Sequence, residues 1–228
     1  MSAYANAIPM KNVKIRDSFW SPVQETVRTR MIPYQWEALN DRIPGADPSF
    51  CIRNFKIAAG REQGTFGGFV FQDSDLAKWL EAVAYTLAVH KDPELEREAD
   101  EAIELICAAQ RPDGYMDTYY ILNGIDKRFT NLKDNHELYC LGHMTEAAVA
   151  YYEATGKERL LRAVVRCVDL VDSLIGPEKG KIHGYPGHEV LEMALVRLYR
   201  VTKKEKHLRL ACYFINERGK EPLFFETV

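Results

Sequence analysis

The residues whose types and spacing could do chemistry stand at the starts of apolar helical patterns. Asp73-Ser74-Asp75 precedes one such pattern, His136-Glu137 a second and His188-Glu189 a third. Several chemistries are open to them. His136 and His143 could share a helix face, but two imidazoles do not make a zinc site, and Cys140 would add a ligand only if it turned to the same side. His136-Glu137 also lacks the second histidine at the spacing of a zincin helix. Asp73, Asp75, Glu137, Glu189 and Glu192 supply carboxylates of the kind that glycoside chemistry uses in pairs. Each serves equally as a helix cap or as first-turn charge. No serine lies in a nucleophile-elbow context. For His136 and His188 two readings stand: structural histidines with satisfied partners, or ligand contacts. A neutral imidazole offers one donor and one acceptor, which suits a polyhydroxylated ligand better than a phosphate.

Helical hairpins must position these residues. Val13 to Trp20 reads as a short strand or an extended arm. Ser21-Pro22 starts a helix expected to run to about Asp41, and Ser49 and Gly60 bound a short one. Gly64 to Phe71 is a glycine- and aromatic-rich loop without the lysine of a phosphate-binding loop, either a tight turn over an aromatic cluster or a binding loop for a ring-shaped ligand. Leu76, Trp79, Leu80, Val83, Ala84 and Leu87 then follow helical spacing, and Pro93 opens a partner helix with Leu95, Ala99, Ala102, Ile103 and Ile106. Tyr115 to Leu122 reads as extended. A third strong helix follows His136 and ends at Gly156; its partner carries Leu160 to Leu174. His188-Glu189 is expected to open the next helix, and a last one ends at Gly219.

The hinge Tyr152-x-x-Thr155-Gly156-Lys157-Glu158 is echoed by Tyr199-x-x-Thr202-Lys203-Lys204-Glu205. The chain therefore repeats a loop-helix-turn-helix unit, about four times, which makes an open solenoid or a closed ring of hairpins. Irregular loop lengths, with long aromatic loops at one end, point to the ring: an all-α protein built as an α/α toroid. Equivalent helices run parallel in such a ring. Asp73, Asp75, His136 and His188 then share one rim, with the loop holding Phe66 and Gly67 leading into it.

Composition sets the outer limits. The 228 residues carry a net charge of -3 with 46% hydrophobic residues, so one domain is expected and a nucleic-acid surface is not. Apolar runs are too short to span a membrane. Met1 to Met10 lacks the pattern of a secretory signal. The five cysteines, Cys51, Cys107, Cys140, Cys167 and Cys212, are scattered and odd in number. They read as reduced, mostly buried thiols of a cytoplasmic protein.

Taken in order, Asp17-Ser18-Phe19-Trp20-Ser21-Pro22, Phe66-Gly67-Gly68, Asp73-Ser74-Asp75-Leu76-Ala77-Lys78-Trp79-Leu80-Glu81-Ala82, Gln110-Arg111-Pro112-Asp113-Gly114-Tyr115, His136-Glu137-Leu138-Tyr139-Cys140-x-Gly142-His143 and Gly187-His188-Glu189 resemble the N-terminal part of the β-L-arabinofuranosidase family of glycoside hydrolases, family 127. The resemblance implies an (α/α)6 barrel followed by β-sandwich domains. It implies retaining hydrolysis of β-L-arabinofuranosides by a cysteine nucleophile, held on a zinc site of cysteines and a glutamate, with a separate glutamate as acid/base. By motif match, His136 and His188 are expected to contact the sugar, and Phe66 and Gly67 to form part of the pocket wall. Asp73 joins them as a candidate at the rim.

The chain departs from the family in one large respect. The family's nucleophile, zinc ligands and acid/base come later than Val228, and no cysteine here matches them. The expectation is a single partial barrel domain over residues 1–228, with an arm over 1–20, no cofactor of its own and no catalytic residue. Its partner would be a small sugar or oligosaccharide, and its open barrel edge is expected to self-associate. Two other functions fit the repeat: a helical-hairpin scaffold holding a peptide or sugar, and a toroid lyase or epimerase using histidine chemistry.

Overall fold

In the computed structural model, which describes residues 8–227, helices run one after another and pack as two concentric layers. α1 (Trp20–Thr26), a π-helical turn (Val27–Met31) and α2 (Ile32–Leu39) form one continuous rod. Then come α3 (Cys51–Ala58), α4 (Asp73–Val89), α5 (Pro93–Ala109), α6 (Thr118–Asn123), α7 (Glu137–Thr155), α8 (Arg159–Leu174), α9 (Leu191–Thr202), α10 (Glu205–Glu217) and α11 (Phe224–Thr227). Helices α4, α7 and α9 lie side by side as an inner layer, with α5, α8 and α10 packed outside them. This is the α/α toroid arrangement, with equivalent helices of successive hairpins in one row.

Sequence explains the layering. α8 is amphipathic: Leu160, Leu161, Val164, Val168 and Val171 make one buried stripe, as an outer helix requires. α7 is buried on nearly all sides, from Leu138 and Leu141 to Ala147, Ala148, Val149 and Tyr151. A helix apolar all round belongs in the middle of a stack. The rod is tied to α4 by Trp36 stacked on Trp79 at 4.4 Å, and the Trp79 indole donates to the Ile32 carbonyl at 3.1 Å.

Several expectations need correction. The first helix begins at Trp20, not Ser21, because the Asp17 carboxylate accepts from the amides of Phe19 and Trp20. The rod widens to a π turn before Pro33, whose ring nitrogen cannot donate to the preceding turn. Val13 is extended, but Val13 to Arg16 forms no strand, and among the described residues the sole β-type pairing is an isolated bridge between Ile175 and Ile182. The first seven residues of the expected arm lie outside the described residues. Tyr115 to Leu122 is not extended throughout: the Asp117 carboxylate caps α6 there, accepting from Tyr120 at 3.3 Å. The helix after His188 starts at Leu191, leaving His188 and Glu189 in the loop before it. Cys51, Cys140 and Cys167 are buried, but Cys107 is half-buried and Cys212 exposed, because it falls on the solvent side of α10.

Candidate functional site

Two loops converge on the upper end of α7. In the first, residues 129–136, Phe129 and His136 both adopt left-handed backbone, with φ of 59° and 57°. That conformation is uncommon for such residues and persists where its surroundings fix it. Here Glu137, buried at the start of α7, accepts from the Phe129 amide at 2.8 Å and from the Tyr115 hydroxyl. Asn135 donates to the Tyr120 hydroxyl at 2.6 Å. His136 is thereby held as the residue that precedes the first turn of α7.

The second loop, 184–190, is fastened to the first. The Gly187 amide donates to the Leu132 carbonyl at 3.0 Å, and a side chain at Gly187 would meet the Lys133 carbonyl oxygen at 2.1 Å. At Gly142 of α7 a Cβ would lie 2.9 Å from the Leu191 amide nitrogen, so this glycine lets the start of α9 close on α7. These two close approaches bring together the histidines expected from sequence: Nε2 of His188 lies 3.0 Å from Nε2 of His136.

The partners assign the tautomers. Nδ1 of His136 contacts the Asp134 carbonyl, which only accepts, so that nitrogen carries the proton. In a neutral His136, Nε2 is then an acceptor, and the proton between the rings belongs to Nε2 of His188. The pair thus presents one acceptor and one donor side by side. Aromatic rings surround it. Phe71 stands 5.2 Å from the His136 ring and stacks on Phe69, and the Tyr139 ring contacts His136, His143 and His188 at 5.4, 4.5 and 5.2 Å.

Phe71 and Tyr139 were missed from sequence. Phe71 was visible only as the end of the aromatic loop, and Tyr139 as the residue one helical turn after His136. Phe66 instead meets Tyr119, at 5.2 Å. Gly67 is held behind it: Asn54 brackets its backbone with two hydrogen bonds of 2.9 and 3.0 Å, and a Cβ would strike the Phe50 ring. Asp73 requires a correction as a rim contact. It is buried, and its two oxygens accept from the amide (2.7 Å) and the hydroxyl (2.5 Å) of Thr118. Its carboxylate caps α6 rather than its own helix.

Asp73, Asp117 and Glu137 line a small cavity of about 20 Å³, enough for one water, together with Tyr115, Cys140 and Cys167. Burial drives the Asp73 carboxyl up to about 6 and that of Glu137 up to about 7, while Asp117 is raised well above its ordinary value by burial and by the charges of the other two. One oxygen of Asp117 is buried with no hydrogen-bond partner. Enclosure and mutual repulsion both disfavour charge on these three carboxylates. The other sequence carboxylates are engaged elsewhere: Asp75 accepts from Gln72 at 2.8 Å, and Glu189 and Glu192 pair with Arg218.

The residues here do not fit the zinc of the related family. Among the described residues no three His, Cys, Asp or Glu side chains are arranged to hold a metal. Burial pushes the thiols of Cys51, Cys140 and Cys167 upward, away from the thiolate a metal needs. No helix among them is long and apolar enough to cross a membrane.

Comparison with known proteins is consistent in direction. A family model described as the β-L-arabinofuranosidase GH127 catalytic domain matches residues 12–226. A non-reducing end β-L-arabinofuranosidase of Bifidobacterium longum subsp. longum is 43% identical over 230 aligned residues, covering 94% of this chain and 35% of that protein. The crystal structure of a GH127 β-L-arabinofuranosidase from Geobacillus stearothermophilus T6 superposes with a TM-score of 0.92 at 55% identity, over 95% of this chain and 34% of that one. A second GH127 β-arabinofuranosidase structure gives a TM-score of 0.85 at 32% identity, over 93% and 34%. The chain spans about a third of the length of these relatives.

Proposed function

The chain belongs to the β-L-arabinofuranosidase family defined by the GH127 catalytic domain, and we propose that it supplies the N-terminal, sugar-binding part of a retaining glycoside hydrolase acting on β-L-arabinofuranosides or related sugars. The single observation that carries this reading is the histidine pair. Nε2 of His136 accepts and Nε2–H of His188 donates, 3.0 Å apart. Two neighbouring hydroxyls of a sugar ring match that pattern: one donates to His136 while the other accepts from His188, and the bond between the imidazoles opens to admit them. Phe71, with Phe66 and Gly67 further out, walls the pocket. Asp73 acts from beneath, by fixing α6.

In this reading the chain binds and orients the ring, and bond cleavage needs groups that this chain does not carry in its site. No residue of the pair is asked to be nucleophile or general acid. Titration calorimetry of the chain with methyl β-L-arabinofuranoside tests the proposal: saturable binding that is lost in His188→Ala supports it, and no heat of binding overturns it.

The same reading includes self-association. Phe19, Trp20, Val23, Met31 and Tyr34 leave an exposed apolar side on the first unit, as Met193 and Ile215 do on the last inner and outer helices. A cytoplasmic location, the remaining part of the reading, is supported by the scattered, odd-numbered cysteines.

A further inference from the structure

We infer that Lys78 is a ligand-binding, specificity-determining residue of the same site: from α4 its ammonium donates to a hydroxyl of the ring held by the histidine pair, while the Tyr139 ring is the surface on which the ring's apolar face rests. The inference rests on the sugar-binding reading above and adds to it a floor contributed by two inner helices.

The geometry is local. Lys78 stands between Ala77 and Trp79, both buried in the inner layer, yet 43% of its own side chain is exposed. A charged residue exposed on an inner helix faces open space on the axis side of the toroid, since the outer side is covered by the next layer. Its Nζ lies 5.2 Å from the centre of the Tyr139 ring, within cation–π range. That same ring touches His136, His143 and His188. Lys78 and the histidine pair are therefore both neighbours of one aromatic plate.

Hydrogen-bond accounting supports a ligand role. A lysine ammonium has three donors. Ser74 Oγ takes one at 3.0 Å, and the Asp75 carboxylate pairs with the ammonium more loosely, at 3.8 Å. The charges one turn deeper contrast with this. Glu81 accepts from the Tyr85 hydroxyl at 2.6 Å, and Arg197 is shared among Glu81, Tyr85 and Glu146. Lower in the barrel Arg197 is held by three close partners, whereas the Lys78 ammonium has one close hydrogen bond and one loose ion pair, which leaves it a donor to offer. His143, the other basic group against the plate, is held down to about 4, first by burial and then by the Lys78 charge, so it stays neutral and does not replace the ammonium. Sugars suit this floor because one face of the ring is lined by C–H groups that lie on an aromatic ring while its edge carries hydroxyls.

The test uses the full chain and methyl β-L-arabinofuranoside. With lysines labelled biosynthetically with 13C and 15N, which keeps both the charge and all three donors, the Lys78 Cε–Nζ resonance is expected to shift on titration, saturating together with the calorimetric binding curve. Lys78→Met is expected to weaken binding roughly ten- to hundredfold, the range for a hydrogen bond from a charged donor, with an unchanged thermal melt. A resonance that does not move, or a Lys78→Met chain that binds within twofold of the unaltered one while His188→Ala loses binding, overturns the role of Lys78 and leaves the histidine site standing. Absence of binding by the unaltered chain overturns both.

Discussion

His136 and His188 are joined by a contact of 3.0 Å between their Nε2 atoms, linking the residue before α7 to the loop before α9. The contact is not a local accident of the two side chains. It depends on loops pinned at Gly187, on the close crossing at Gly142, and on the buried carboxylate of Glu137. Each dependence gives an expected outcome.

Gly187→Ala should separate the pair. An added methyl meets the Lys133 carbonyl oxygen at 2.1 Å, so the second loop must move and its hydrogen bond to Leu132 is lost. Overpacking of this kind costs roughly 1–3 kcal/mol. Denaturant unfolding should show that loss, and the imidazole nitrogen resonances of His136 should change to those of an unpaired ring. A variant as stable as the parent with unchanged imidazole signals would refute the assignment.

Glu137→Gln should alter how stability depends on pH. The folded carboxyl is raised from an ordinary 4.5 to about 7, chiefly by burial. Its contribution is full below 4.5 and is lost as pH rises through 7, about 3 kcal/mol in all. Glutamine does not ionise, so the variant should gain on the parent by that amount between pH 4.5 and pH 8. Unfolding curves at several pH values check it, and a constant difference across the range would contradict the buried-acid account.

Arg197→Met should be costly although Arg197 is partly exposed. It leaves Glu146, whose side chain is only 4% exposed, without its cation, and Glu81 with Tyr85 alone. Stranding a buried charge costs roughly 3 kcal/mol or more. Adding Glu146→Gln should recover part of that loss, because the stranded charge goes with it. A double variant no more stable than Arg197→Met would show that packing, not charge, is what Arg197 supplies.

The exposed apolar side of the rod should drive association. Phe19 and Trp20 are 66% and 56% exposed. Light scattering at rising concentration should report a mass above that of the monomer, falling toward it in Phe19→Ser/Trp20→Ser. A monomer at every concentration would dismiss the expectation.

Much of this was legible in the sequence because hairpin helices are written in short-range spacing. The stripe of α8 and the hinge at Gly156 need no tertiary knowledge, and the repeat alone puts His136 and His188 on the same rim of successive hairpins, although His188 lies in the loop before α9 and not at its first turn. What escaped depends on contacts distant in sequence. Asp73 sits where a helix cap would sit, yet Thr118, 45 positions on, takes both its oxygens. Tyr139 stands in the sequence only as part of the His136 motif, and the approach of His188 and Lys78 makes it a plate. Tyr115 to Leu122 looked extended because aromatic content favours strands, and the Asp117 cap overrode it.

The most direct test of the account is calorimetric titration of the chain with methyl β-L-arabinofuranoside, alongside His188→Ala and His136→Asn, the latter chosen because asparagine tolerates the left-handed backbone at that position. Saturable binding by the unaltered chain is expected, weakened tenfold or more in each variant while both retain its thermal melt. No binding by the unaltered chain, or equal binding by all three, would contradict it.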